Sequence, residues 1–392
     1  MEGTGGPKRI LFVFAWLVVG GEETEVRLLA ARLNPARYHI EVVACMRKPG
    51  MPEQTHAQLD AMGVAVDRTP YDLSFAETVA YLRRKITAYD LVVACQAVPD
   101  VYPALVGIQN APPLIEHGGL VSEALAGPKD RTARYVGVCT SIRDAAAHRM
   151  PDRPAHAVII PSMVDLTEFS AADRVTVRAE WRVAETTPVV GWVGRLDRKK
   201  RVEDVIRAAA LVHRRHPAVR FMLVGGPDAF MPEYAEELRA LVRQLGLTQV
   251  VTFLGDRPDV PRLLAGLDAF VWLSQGEGMP HVVVEAGAAR LPVVATRDNG
   301  TEEQITHGVT GLFVPHRSPA AVASALGHIL EDPCRGHELG NALRAQVERG
   351  YSTAVVIPQW EALFDTVLGE VKTESKEHSS SQNESCCTQL TE

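Results

Sequence analysis

With 392 residues the chain is too long for one ordinary domain, and at 46% hydrophobic and 23% charged residues it has apolar material for two cores. That balance excludes a disordered or fibrous chain. The net charge of −7 supplies no basic excess to meet a phosphate backbone, so nucleic acid is not an expected partner.

Ile10–Val19 is a continuous apolar run, shorter than the roughly 18 residues of a spanning helix. Lys8-Arg9 precede it as in a signal peptide. Gly20-Gly21-Glu22-Glu23 follows instead of a small-residue cleavage site, so the run reads as a buried first strand. Glu23–Leu33 has helical spacing and is stopped by Asn34-Pro35. Short strands are expected at Ile40–Cys45, Val64–Val66, Leu91–Cys95, Pro113–Glu116, Tyr135–Thr140 and Val158–Ile160, with helices at Thr55–Met62 and Phe75–Thr87. A loop with Pro161 and Asp165 and the polar stretch Thr167–Arg174 place the domain boundary there.

The pattern then restarts. Strands are expected at Val189–Val193, Arg220–Val224, Val250–Leu254, Ala269–Leu273 and Val293–Ala295, alternating with helices at Val202–Arg214, Pro232–Leu245, Val282–Ala289 and Pro319–Leu330. Alternation of this kind predicts two α/β domains, each a parallel sheet covered by helices. The expected division is 1–168, 169–350, a C-terminal helix within 351–370 and a polar, disordered tail over 371–392. The six cysteines, at 45, 95, 139, 334, 386 and 387, form no metal-ligand spacing and no dense disulfide framework. The cytoplasm is the natural compartment.

The first chemical motif is Glu277-Gly278-Met279-Pro280-His281, which follows a buried strand and opens a helix carrying Glu285. Its backbone N–H groups suit an anion or a sugar oxygen. Glu285 lies about 12 Å further along if every step is helical, so the two carboxylates could meet a sugar and a ribose of one extended ligand. They could equally be a loop Glu and a helix-face Glu with no ligand. The second motif is Gly194-Arg195-Leu196-Asp197-Arg198-Lys199-Lys200-Arg201, where basic residues follow a Gly at a strand end. Such a run is often a solvated face, but its place at the carboxyl end of a first strand favours a diphosphate. In the first half, Gly20-Gly21 fits neither the G-x-G-x-x-G nor the P-loop pattern and could be a plain tight turn. His117, flanked by Gly118-Gly119 at a strand end, is better placed than most histidines to reach a ligand.

In this order the motifs resemble glycosyltransferase family 4, over most of the chain. Gly194-Arg195-Leu196 with Lys200, then Glu277-Gly278-x-Pro280 with Glu285, carry the resemblance. Asp298-Asn299-Gly300-Thr301-Glu302-Glu303 and Gly308–Pro315 look like the family's closing segment. The resemblance implies the GT-B fold, two Rossmann-like domains facing across a cleft, with the acceptor on the first and the nucleotide-sugar donor on the second. It implies that the C-terminal helix packs back on the first domain. It also implies a retaining transfer from a UDP- or GDP-sugar, with no permanent cofactor and no metal. Arg195 and Lys200 would hold the diphosphate, Glu285 the ribose, and Glu277 with Gly278, Met279, Pro280 and His281 the transferred sugar. Gly20 and Gly21 would lie beside the phosphates, and His117 beside the reacting sugar.

Four positions depart from the family pattern: Ser162 for Asn, Arg201 for Gly after the phosphate Lys, Met279 for an aromatic or Leu, and Glu302 for Pro. The acceptor is expected to be a glycan, a lipid-linked molecule or a small molecule. Any membrane contact would be peripheral, at the inner face. An epimerase or phosphorylase on the same fold, or a silent nucleotide-sugar-binding subunit, are the rival readings.

Overall fold

The structure, a computed structural model, describes residues 6–169 and 173–387, with side chains to Glu370. The first domain is a seven-stranded parallel sheet of β1 (Lys8–Trp16), β2 (Tyr38–Met46), β3 (Val66–Asp67), β4 (Leu91–Cys95), β5 (Leu114–Gly118), β6 (Thr132–Gly137) and β7 (Ala157–Ile159). Their order is β3-β2-β1-β4-β5-β6-β7. The second is a six-stranded parallel sheet of β8 (Val189–Val193), β9 (Arg220–Val224), β10 (Val251–Gly255), β11 (Ala269–Trp272), β12 (Val293–Thr296) and β13 (Leu312–Val314), in the order β10-β9-β8-β11-β12-β13.

Both sheets are covered on two faces, which explains the unbroken apolar strands. In β1, Ile10, Phe12 and Phe14 enter one core while Leu11 and Val13 enter another, as side chains alternating across a strand must. The order of strands reverses between β1 and β4 in the first domain and between β8 and β11 in the second. Ligands of open α/β sheets lie at such switch points, beyond the carboxyl ends of the strands.

Several boundaries differ from the sequence reading. β1 ends at Trp16, short of Val19, because the Val18 amide donates to the Glu23 carboxylate at 3.2 Å and the chain leaves the sheet. β6 stops at Gly137, and Thr140 belongs to the helix Thr140–Arg149. The short edge strand β13 and the helix Pro333–Gly350 were not foreseen. The last helix, Thr353–Cys387, continues through 371–387, where a disordered tail was expected; no Pro or Gly interrupts that stretch. Residues 388–392 of that expected tail lie outside the described residues.

This last helix buries Val356, Trp360, Phe364 and Val367 in the same core as Ile10, Phe12 and Val42 of the first domain. The chain therefore crosses between domains twice. The two crossings are paired: the Val164 amide donates to the Tyr351 carbonyl at 2.8 Å and the Thr353 amide to the Val164 carbonyl at 3.0 Å. Among the described residues no helix is long and apolar enough to cross a membrane.

Candidate active site

The switch points of the two sheets face each other. β8 ends at Val193, just before Gly194, and the strand-end loop is held by the Leu196 amide donating to the Gly226 carbonyl at 2.9 Å. Arg195 then pairs with the buried Asp228 from the loop after β9, Nε to Oδ2 3.0 Å. Lys200 sits at the mouth of the helix Val202–Arg215 and pairs with Glu277, Nζ to Oε2 2.7 Å. Its ammonium also lies 4.9 Å from the centroid of the Trp272 ring at the end of β11, a cation–π distance. The basic motif Gly194–Arg201 and the motif Glu277–Glu285, remote in sequence, thus meet at one point.

Arg201, which stands where the resemblance leads one to expect Gly, adopts a left-handed backbone, φ 51°. A side chain there is strained. Its guanidinium does not add charge to the mouth of the helix; it pairs with Glu203 and Asp204, each at 2.7 Å.

The turn after β11 is pinned from the loop after β12. The Glu277 amide donates to Asp298 at 2.8 Å, Asn299 Nδ2 to the Glu277 carbonyl at 3.2 Å, and the Gly300 amide to the Gly278 carbonyl at 2.6 Å. Asp298 also caps the helix Asn299–Gln304. Pro280 then caps the helix His281–Ala288 with extended backbone and no side-chain bond, so the first amides of that helix have no side-chain acceptor from the cap. Gly278 lies against the Gly119 carbonyl of the opposite domain so closely that a Cβ there would overlap it. Gly21 is similarly tight: a Cβ would lie 2.9 Å from His281 Cδ2. The Met279 side chain reaches the first domain and packs in an apolar cluster with Tyr135, Cys139 and Ile142. Its carbonyl accepts the Ser162 hydroxyl at 3.0 Å, so Ser162 ties the domains together where Asn was expected.

Two predicted residues are more enclosed than their motifs suggested. His117 is 4% exposed, with its ring edge-on to Trp360 and Nδ1 4.0 Å from Cys95 Sγ. Burial pulls its imidazole down to about 4, so it is neutral at physiological pH. Glu285 is half-buried on its helix, and burial raises its carboxyl above the ordinary range, with His281 and Arg27 opposing the shift. His281 reaches across the cleft to Glu25, 3.4 Å, whose other oxygen accepts the Trp360 indole N–H at 3.1 Å.

The motif reading missed what surrounds these residues. Asp228 and Asp298 position the cationic and sugar loops, and nothing in their local sequence marks them. Four carboxylates, Glu22, Glu23, Glu25 and Glu123, are gathered on the first-domain wall of the cleft. Three of them lie in the stretch Glu22–Glu25, so an acidic run immediately after a glycine pair was the available signal.

The architecture is the GT-B fold. Over 92% of this chain and all of the neighbour, it superposes with TM-score 0.79 and 22% identity on the Anabaena protein Alr3699/HepE, solved in complex with UDP and glucose. Residues 173–348, the second domain, match the family model described as Glycosyl transferases group 1. A D-inositol 3-phosphate glycosyltransferase of Nocardia farcinica is 34% identical over 186 residues, 46% of this chain and 41% of that protein. The chain thus spans less than half the length of that relative. An N-acetyl-alpha-D-glucosaminyl L-malate synthase of Bacillus anthracis is 25% identical over 77% of this chain and 81% of its own.

Proposed function

We propose that the chain is a glycosyltransferase that moves a sugar from a UDP- or GDP-sugar to an acceptor hydroxyl with retention at the anomeric carbon. The observation that carries this reading is the meeting of Lys200 with Glu277 at the switch point of the second sheet, beside the first amides of the helix His281–Ala288. A diphosphate arriving there competes for Lys200 and Arg195, both now paired with carboxylates. Displaced from Lys200, Glu277 becomes free to accept hydroxyls of the transferred sugar. Glu285, two turns further along the helix, is the carboxylate for the ribose.

The demanding charge is on the leaving nucleoside diphosphate while the sugar becomes oxocarbenium-like. Arg195, Lys200 and the helix amides stabilise that anion where it develops. His117, neutral and buried, positions the sugar and carries no proton in the step. No protein group is assigned as base; the leaving phosphate takes the acceptor proton on the same face. The family match over the second domain and the HepE likeness in fold support this reading.

Its test is nucleotide release from a panel of UDP-, GDP- and ADP-sugars. We expect turnover with a UDP- or GDP-sugar and its loss in Glu277→Gln. Absence of both turnover and nucleotide binding across the panel overturns the proposal.

A further inference from the structure

The first-domain wall of the cleft is lined with carboxyl groups, and burial raises those of Glu22, Glu23 and Glu123 above the ordinary range. Glu22, Glu23 and Glu25 lie on the helix Gly21–Arg32, and Glu123 on the helix Val121–Leu125; the three on the first helix are 8%, 3% and 2% exposed. All four bear electrostatically on the Cys95 thiol at the end of β4, so they converge around the first sheet's switch point. They also face the donor side: Glu23 feels Arg195 and His281, Glu123 feels Lys199, and Glu25 lies 3.4 Å from His281.

Three of the four have partners. Glu23 accepts the Val18 amide, Glu25 the Trp360 indole, and Glu123 the Gly119 and Leu120 amides at 2.9 and 3.1 Å. Glu22 is different. Among the described residues neither of its oxygens meets a donor in hydrogen-bonding geometry, and the nearby Gln96 side chain and Gly119 amide ease its charge only in part. Beside it, Gln96 has an unpartnered, buried Oε1 and a left-handed backbone, φ 60°, in a non-glycine residue directly after β4. Strain of this kind persists where the surroundings hold a side chain in place, and it clusters at binding sites. His117, 4% exposed on the neighbouring strand, likewise leaves Nε2 without a partner among the described residues. Buried acceptors without donors are costly, and a ligand that brings donors relieves that cost. The carboxylates are not gathered as a metal cage: no group of three His, Cys, Asp or Glu among the described residues is placed to hold an ion.

We propose that this wall is the acceptor subsite and that it selects an acceptor carrying an ammonium group next to its hydroxyls, the N–H donors going to Glu22 and Gln96. The proposal rests on the glycosyltransferase reading and narrows its substrate class. The names of the relatives point to inositol 3-phosphate and malate, both anions. An anion would push these carboxyls, three of them buried and Glu123 partly so, further towards their neutral forms, whereas an ammonium favours the ionised form of Glu22 and is held by charge-assisted bonds.

The experiment titrates the full chain, saturated with UDP, with three cyclitol probes: 2-deoxystreptamine as the diamine, myo-inositol as the neutral ring and inositol 3-phosphate as the anion. Calorimetry should rank the diamine about tenfold or more above inositol, with the phosphate weakest. Glu22→Gln should abolish most of that preference, leave UDP affinity unchanged and leave the melting temperature no lower than the wild type's, and Gln96→Leu should weaken diamine and inositol together. Equal binding of diamine and inositol, tighter binding of the phosphate, or no diamine binding at millimolar concentration overturns the proposal. If Glu22→Gln fails to fold, the wild-type ranking decides alone. If UDP does not bind, the donor reading falls, and the same ranking on the chain without UDP still decides the acceptor.

Discussion

At the scale of single residues, the proposed donor site rests on an exchange of partners. Lys200 and Glu277 neutralise each other at 2.7 Å, with both side chains mostly buried. Lys200→Ala should weaken UDP or GDP binding by about 1.5–3 kcal/mol, the range of a charge-assisted bond, or more than tenfold. Glu277→Gln separates the two roles. It removes a competitor for Lys200, so free nucleotide should bind up to about fivefold more tightly while sugar transfer falls. Titrations and steady-state kinetics on both variants check this; weaker nucleotide binding in Glu277→Gln would sink the exchange. His117 gives a pH signature. The native state holds it down to about 4, whereas the unfolded chain takes up a proton near the ordinary value of about 6.5. Its contribution to stability is therefore present at neutral pH and is lost as the pH falls from about 6.5 towards 4. Between pH 7 and pH 5 the wild type should lose about 2 kcal/mol more than His117→Asn, measured by urea unfolding at each pH.

At the scale of elements, Arg201 at the start of the helix Val202–Arg215 shows two effects in opposition. Its left-handed backbone costs about 1 kcal/mol, which Gly would relieve. Its guanidinium, however, meets Glu203 and the buried Asp204, and loss of charge-assisted bonds to a buried carboxylate costs roughly 1.5–3 kcal/mol. The larger effect is the charge, although Arg207 still reaches Asp204 at 3.2 Å. Arg201→Gly should thus destabilise the chain by about 1 kcal/mol in chemical denaturation, and a gain in stability would show that the strain dominates. The turn Glu277–Pro280 illustrates the same principle of support from a distance. Its backbone is fixed by Asp298, Asn299 and Gly300, which gives a physical role to a segment the sequence marked only by resemblance.

At the scale of the molecule, the last helix connects the two domains through one side chain. Trp360 fills the first core, packs against His117 and donates to Glu25, which in turn faces His281 of the second domain. Trp360→Phe retains most of the apolar packing and removes the N–H, so it should cost about 1 kcal/mol. Trp360→Ala should cost about 3–5 kcal/mol through the cavity it leaves. Comparable losses in the two variants, read from thermal melts, would show that the bond to Glu25 outweighs the packing. The paired crossings at Val164 and Tyr351–Thr353 lie where the two halves join, with Ser162 bonded to Met279 nearby.

The alternation of elements and the placing of the phosphate and sugar motifs at strand ends were legible in the sequence, because both follow from local periodicity and turn chemistry. Gly194–Lys200 and Glu277–Glu285 were found as motifs for that reason. Their meeting was not legible, because the sequence does not say that β8 and β11 are neighbours at a switch point, and this pairing brings Lys200 to Glu277. Burial was likewise decided only by the tertiary structure. It made His117 a neutral, enclosed imidazole, packed Met279 against the first domain, and joined Glu123 to the acidic run Glu22–Glu25. The ends of β1 and β6 were missed because side-chain and backbone partners outside the strands, such as Glu23 on Val18, override β propensity. Residue type and spacing fixed what each group can do; the low-dielectric surroundings created by folding decided which charge each group carries and which partner it meets.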